Sequence, residues 1–269
     1  MKSFRVIILV LSGKQLRLSR ILENGKTVII PMDHGVTVGP VKGLVDIEDT
    51  INKVVAGGAT AVLFHKGILR SLDKAPSCGV IVHLSASTNL GPEPNFKIQV
   101  GTVEEALKLG VDAVSIHVNV GNDMEHEMLE ILGEVAGECE EFQVPLLAML
   151  YPRGHDIEDP HDPKITAHAA RIGAELGADI VKTHYTGSPE SFREVIKGCP
   201  VPLVMAGGPK TKTDRECLEM IKGAMDAGAI GVAMGRNAFQ HENPTAIVKA
   251  VRAIVVDGAT VEEALEFLK

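Results

Sequence analysis

Residues 175–187 read ELGADIVKTHYTG. Gly177 closes a helical stretch, Ala178, Ile180 and Val181 make a short apolar run, and Gly187 ends it. Glycine past a helix end supplies the left-handed cap, and a short apolar run bounded by turns suits a strand covered on both faces. The same phrase recurs as AGGATAVLFHKG at 56–67, KLGVDAVSIHVNVG at 108–121 and DAGAIGVAMGRN at 226–237. KTVIIPMDHG, GVIVHLSAS, VPLLAMLYPRG and VPLVMAGGPK complete eight strand candidates.

Amphipathic helical stretches lie between most of them. In DPKITAHAARIGAELG, Ile165, Ala169, Ile172 and Leu176 recur at helical spacing and predict the buried face. TVEEAL at Thr102 and again at Thr260 is a T-x-x-E capping box, a helix start. Eight strand–helix units predict an α/β fold, a single-domain (β/α)8 TIM barrel over residues 1–269, with 1–24 as an N-terminal extension packing on the barrel. A doubly wound sheet would carry fewer strands and a G-x-G-x-x-G turn, which the sequence lacks.

With 269 residues, 45% of them hydrophobic, the chain is long enough for one large core. Its net charge of -8 argues against nucleic acid or an acidic membrane surface as partner. A small anionic substrate would need local positive groups. The four cysteines, Cys78, Cys139, Cys199 and Cys217, form no CxxC pair, so neither disulfides nor a zinc–thiolate site is expected, and a reducing, cytoplasmic setting fits. The apolar run Val6 to Leu11 is too short to span a bilayer, and no A-x-A cleavage pattern follows it.

Active sites of such barrels lie at the C-terminal strand ends. Here those ends carry Asp33 and His34, His65 and Lys66, His83 and Ser85, His117 and Asn119, Tyr151 and Arg153, then Lys182 and His184. The last two strands end in AGGPK and MGRN. Gly207 and Gly208 let backbone approach an anion, Gly235 and Arg236 add amides and a guanidinium, and loops after strands 7 and 8 often bind phosphate.

A lysine inside an apolar strand needs a reason, because lysine is rarely buried without a partner. Desolvation in a barrel mouth favours the neutral amine, which attacks a ketone to give an iminium that drives C–C cleavage or formation. Lys182 is the candidate nucleophile, with Asp33 and Tyr151 as proton shuttles. Lys66 is a rival nucleophile expected to be better solvated, and a Lys182–Asp33 ion pair is the purely structural option. A metal-dependent barrel using His34, His65, His83 and His117 has neither an H-x-H nor an H-E-x-x-H pair behind it. A non-catalytic phosphosugar-binding regulator would need only the glycine turns.

PMDHGVTVGP, SIHVNVG, YPRG, ELGADIVKTHYTG, AGGPKT and GVAMGRNAFQ together resemble the archaeal class I aldolase family, within the wider deoxyribose-phosphate and fructose-bisphosphate aldolase barrels, from about Gly13 to the C-terminus. The resemblance implies Lys182 as the Schiff-base lysine, Asp33 as proton acceptor and Tyr151 as proton donor. It implies a substrate site of Asp33, His34, Gly35, Val36, Thr37, Tyr151, Pro152, Arg153, Lys182, Gly207, Gly208, Gly235 and Arg236. No cofactor and no metal is expected, and the resemblance implies a homo-oligomer built as a ring or a decamer of rings. Met32 before DHG and the turn HVNVGN resemble a synthase branch, where fructose-bisphosphate aldolases tend to carry tyrosine and YPGS. The implied activity is a transaldol reaction joining a unit of 6-deoxy-5-ketofructose 1-phosphate to L-aspartate 4-semialdehyde, a phosphorylated ketose and an aldehyde acceptor, on a route to 3-dehydroquinate and aromatic amino acids. The alternative is class I fructose-bisphosphate cleavage. His184 stands in the lysine motif where the family more often has a smaller or cationic residue.

Overall fold

The computed structural model describes residues 11–269. Eight strands form a closed barrel: β1 (Thr27–Pro31), β2 (Ala61–Phe64), β3 (Gly79–His83), β4 (Ala113–Val120), β5 (Leu146–Pro152), β6 (Ile180–His184), β7 (Leu203–Ala206) and β8 (Gly231–Ala233). Every pairing is parallel, neighbours in sequence are neighbours in the barrel, and β8 closes on β1 through Thr27↔Gly231. The fold is the expected (β/α)8 barrel. Gly58, Gly110, Gly177 and Gly228, the glycines that precede four of the strands, all have positive φ.

Each strand is buried on both faces, which is why its sequence is almost continuously apolar. Ile29, Leu63, Ile81, Leu147, Met149, Ile180 and Val204 fill the barrel interior. Their outward neighbours, among them Val28, Val62, Ala148 and Val181, pack beneath the helices. Along β6 this alternation puts Ile180 inside, Val181 outside and Lys182 inside again, beside Met149 of β5.

The N-terminal ends of the strands are closed by the helix Gly13–Ile21, whose Ile21 joins the interior cluster. Ser12 and Gln15 form a capping box at its start. Arg17 Nη1 donates to Val111 O at 2.7 Å and Lys14 Nζ to Asp179 Oδ1 at 3.1 Å, tying the helix to the segments entering β4 and β6. The apolar run beginning at Val6 lies outside the described residues, apart from Leu11.

The helix Pro163–Glu175 departs from the sequence expectation. Its buried residues are Thr166, Ala169, Ala170 and Gly173, while Ile165 and Ile172 are half-buried and Leu176 is exposed. Shape, not hydrophobicity, sets this face. A Cβ on Gly173 would come within 2.9 Å of Leu150 Cδ2 and 3.0 Å of Val181 Cγ2, so only small residues let the helix seat. Thr102 and Thr260 both form the expected capping boxes. Between β3 and β4, a short ribbon pairs Ser85–Ala86 with Ile98–Gln99 and brings Lys97 to the barrel mouth. Among the described residues, no helix is long and apolar enough to cross a membrane.

Candidate active site

A cavity of about 470 Å³ occupies the C-terminal mouth of the barrel. Lys182 reaches it from the interior face of β6 and is only 7% exposed. Its ammonium has Met149 Sδ at 3.9 Å, and no carboxylate within 4.0 Å among the described residues. The structural option of a Lys182–Asp33 ion pair is thereby set aside. Lys66 is not in this cavity: its Nζ pairs with Glu105 Oε2 at 2.7 Å. The rival amine is held in a salt bridge and directed away.

Asp33 follows β1 and immediately precedes the short helix His34–Val38, its side chain making no capping hydrogen bond. Its carboxylate faces two imidazoles, His34 Nδ1 at 3.5 Å and His83 Nε2 at 3.9 Å. His83 is fixed from behind by Ser115 Oγ, 2.8 Å from its Nδ1. Burial alone would raise the Asp33 carboxyl, but attraction to His83 and His34 in their protonated forms, and then to Lys182, outweighs it and holds the group well below the usual carboxylate range. His83 itself, enclosed on all sides, is pushed down to about 3 by burial, against the pull of Asp33. Asp33 is therefore the charged member of this group at neutral pH.

Tyr151, at the inward end of β5, is gripped by rings. His117 stands edge-on at 5.0 Å, His184 lies tilted at 4.6 Å, and the Arg153 guanidinium sits 4.8 Å from the ring centroid. His117 Nε2 lies 2.8 Å from Asn119 Oδ1, and Asn119 Nδ2 donates to Asn95 O at 2.6 Å. Burial first, then Arg153, keeps His117 far below the ordinary imidazole value. His184 is lowered to about 3 by burial and by neighbouring His161 and Arg153. The imidazoles around the phenol are thus neutral walls, not charges.

Gly207, Gly208, Gly235 and Arg236 line the opposite side, where the loops after β7 and β8 meet. Gly235 cannot be enlarged: a Cβ there would lie 2.6 Å from Pro31 O and 2.7 Å from His34 Cε1. Arg236 Nε is buried without a hydrogen-bond partner. Burial and the Arg153 guanidinium lower the pKa of Arg236. Two guanidiniums share one mouth, and neither has a carboxylate within 4.0 Å among the described residues, an arrangement complementary to an anionic ligand.

The structure therefore brings Asp33, His34, Thr37, Tyr151, Arg153, Lys182, Gly207, Gly208, Gly235 and Arg236 to one cavity. Gly35 and Val36 lie on the exposed side of their short helix, and Pro152 lines a neighbouring chamber instead. Ser85 is withdrawn from the rim, its Oγ accepting from His117 N at 2.9 Å. Lys97 has no local signal in the sequence to mark it. It lines the same cavity, hydrogen-bonds Ser87 Oγ, and is lowered to about 8 by burial, then by Arg153, against the attraction of Asp33.

A closed (β/α)8 barrel whose sixth strand presents a buried, carboxylate-free lysine to a mouth lined by aspartate, tyrosine and arginine is the architecture of a barrel aldolase. Residues 27–241 match the DeoC/LacD family aldolase model, and the chain belongs to that family. It is 48% identical to a 2-amino-3,7-dideoxy-D-threo-hept-6-ulosonate synthase of Halobacterium salinarum over 94% of this chain and 96% of that protein. It is 45% identical to a synthase of the same description from Archaeoglobus fulgidus, over 95% of each chain. Among solved structures, it is similar to an archaeal fructose-1,6-bisphosphate aldolase whose catalytic lysine is covalently bound to the carbinolamine intermediate of its substrate. That match has a TM-score of 0.85 and 33% identity, covering 90% of this chain and 99% of the other.

Proposed function

We propose that this protein is a Schiff-base-forming synthase of the 2-amino-3,7-dideoxy-D-threo-hept-6-ulosonate type, with Lys182 as the nucleophile. The observation that carries the proposal is the placement of Lys182: buried, inward-facing and without a carboxylate partner, in one cavity with Asp33 and Tyr151. Identities of 48% and 45% to synthases over nearly the whole chain favour this activity over fructose-bisphosphate cleavage.

The amine of Lys182 adds to the C5 ketone carbon of 6-deoxy-5-ketofructose 1-phosphate, the one that bears the methyl group kept in a 7-deoxy product, and loss of water leaves an iminium. Asp33, held ionised by its surroundings, takes the proton of the hydroxyl on the β-carbon. The bond between the α- and β-carbons breaks, its electron pair moves into the iminium to give an enamine, and the β-carbon leaves as an aldehyde. The enamine carbon then attacks the aldehyde of L-aspartate 4-semialdehyde. The Tyr151 phenol supplies a proton to the new alkoxide and regains the one that Asp33 took, and water releases the product and restores the amine. Gly207, Gly208, Gly235 and Arg236 hold the substrate phosphate. Tyr151, steadied by His117, His184 and Arg153, needs no reorientation between steps.

The test is borohydride reduction with 6-deoxy-5-ketofructose 1-phosphate and, separately, with fructose 1,6-bisphosphate, followed by peptide mass mapping. The expected outcome is an adduct on Lys182, with product formed only when the semialdehyde is present. Efficient release of triose phosphate from the bisphosphate would move the assignment to an aldolase. No lysine adduct with either sugar would overturn the mechanism.

A further inference from the structure

Beside the mouth lies a second chamber of about 460 Å³, and Arg153 and Pro160 line both spaces. Glu93 and Asn95 of the loop after β3 line it together with the loops after β4 and β5. The latter two loops are locked together at the backbone, for a Cβ on Gly154 would fall 1.7 Å from Gly121 O. Arg153 N donates to Val120 O at 2.8 Å, so the base of the arginine is fixed by the same junction.

Its charges are distributed in a particular way. Arg153 has the Tyr151 ring beneath it, and no carboxylate within 4.0 Å among the described residues. Glu93 and Asp123 line the same chamber. The Glu93 carboxylate has no ion-pair or hydrogen-bond partner among the described residues, while Asp123 Oδ1 lies 3.1 Å from His155 Nδ1. A cation and an anion that share a chamber without closing on one another leave room for a ligand carrying both charges. A dianionic phosphate head there would meet two carboxylates for one guanidinium, and like-charge juxtaposition disfavours it.

We infer that this chamber is the acceptor subsite, and that it selects an aldehyde bearing an α-amino acid head, with the carboxylate on Arg153 and the ammonium on Glu93, supported by Asp123. This rests on the synthase reading above and deepens it, for a 2-amino-heptulosonate keeps such a head at the end of its chain remote from the ketone. The mouth would then hold the phosphorylated ketose and the side chamber the amino aldehyde, with Arg153 at their boundary.

The experiment uses unreactive ligands, so that binding is read without turnover. L-homoserine is the reduced form of L-aspartate 4-semialdehyde, and 4-hydroxybutyrate is the same chain without the ammonium. Calorimetric titration of the full-length protein should find homoserine bound at least about tenfold more tightly than 4-hydroxybutyrate, as expected when a charged hydrogen bond is gained. Glu93→Gln, an exposed and nearly isosteric change, should erase that preference and raise the KM for the semialdehyde about tenfold, with the KM for the ketose phosphate unmoved. Glu93→Lys should shift acceptor preference toward glyceraldehyde 3-phosphate. Equal binding of the two ligands, or a Glu93→Gln variant that binds homoserine as the parent does, would overturn the subsite. Absence of a Lys182 adduct would instead defeat the synthase reading, and the homoserine comparison would still decide what the chamber binds.

Discussion

His83 Nε2 stands 3.9 Å from Asp33 Oδ2, and the far nitrogen of the same ring is 2.8 Å from Ser115 Oγ. Asp33 thus has a fixed imidazole of β3 beside its carboxylate. Substituting His83 with asparagine should lower kcat about tenfold, roughly 1.4 kcal/mol of barrel-mouth organisation, with a smaller change in the KM of the ketose. Ser115→Ala, which frees the ring without removing it, should have a weaker effect in the same direction. A His83 variant with unchanged kcat and an unchanged acidic limb of the rate profile would show that Asp33 is aimed by other groups.

Lys182 lies near the end of β6 and Lys66 just past the end of β2, and the two are held in opposite ways. Lys182→Met should abolish borohydride trapping and lower turnover by at least about a thousandfold, as expected when covalent catalysis is lost. Because the ammonium lies buried without a carboxylate, the same change should leave the melting temperature unchanged or higher. Lys66→Met removes only a partly exposed ion pair with Glu105 and should leave trapping at the parent level, with stability within about 1 kcal/mol. Calorimetry beside mass mapping separates the two lysines.

Gly235→Ala places a methyl group against Pro31 O and His34 Cε1. Neither neighbour can move without disturbing the turn that carries Asp33. A loss of about 1–3 kcal/mol in stability is expected, as for other overpacked sites. The KM for the phosphorylated ketose should rise, because the loop after β8 is displaced. Unaltered melting and KM would mean that this turn yields more readily than its contacts indicate.

Low pH should unfold this protein by an identifiable route. His83 and His184 are lowered from 6.5 to about 3, and His34, His65 and His117 are also lowered. Between those values the unfolded chain binds protons that the folded chain refuses, so stability falls as pH drops from about 6.5 toward 3. Asp33, depressed in the fold, acts in the same direction once the pH is below its ordinary value. Melting temperature should therefore decline steeply across this window. A His184→Gln variant should show a shallower decline; an identical slope would place the proton uptake elsewhere.

The strands and their polar ends were legible because a doubly covered parallel strand must be apolar throughout and must end in a turn. Asp33, Tyr151, Lys182 and the glycines of the last two loops stood out as breaks in that rule. Lys97 did not, because it belongs to no strand of the barrel: a two-residue ribbon delivers it, and nothing local marks a lysine in NFKIQ as buried. His83 was visible as a strand-end residue, but its place behind Asp33 depends on the spacing between β1 and β3 across β2. The helix Pro163–Glu175 misled for another reason. Periodicity ranks residues by hydrophobicity and favoured Ile165 and Ile172, whereas the contact is decided by which residues are small enough to fit.

That fit has a consequence for how this enzyme tolerates change. Gly173 lies on an outer helix, yet a Cβ added to it would come within 3.0 Å of Val181 Cγ2, in the residue immediately before Lys182 in the chain. One added carbon there would press β6 inward from outside the barrel and shift Lys182 with it, although no residue of the mouth had been substituted. Inactivating substitutions should therefore appear on the far side of the wall from the substrate, where a survey confined to the cavity would never look for them.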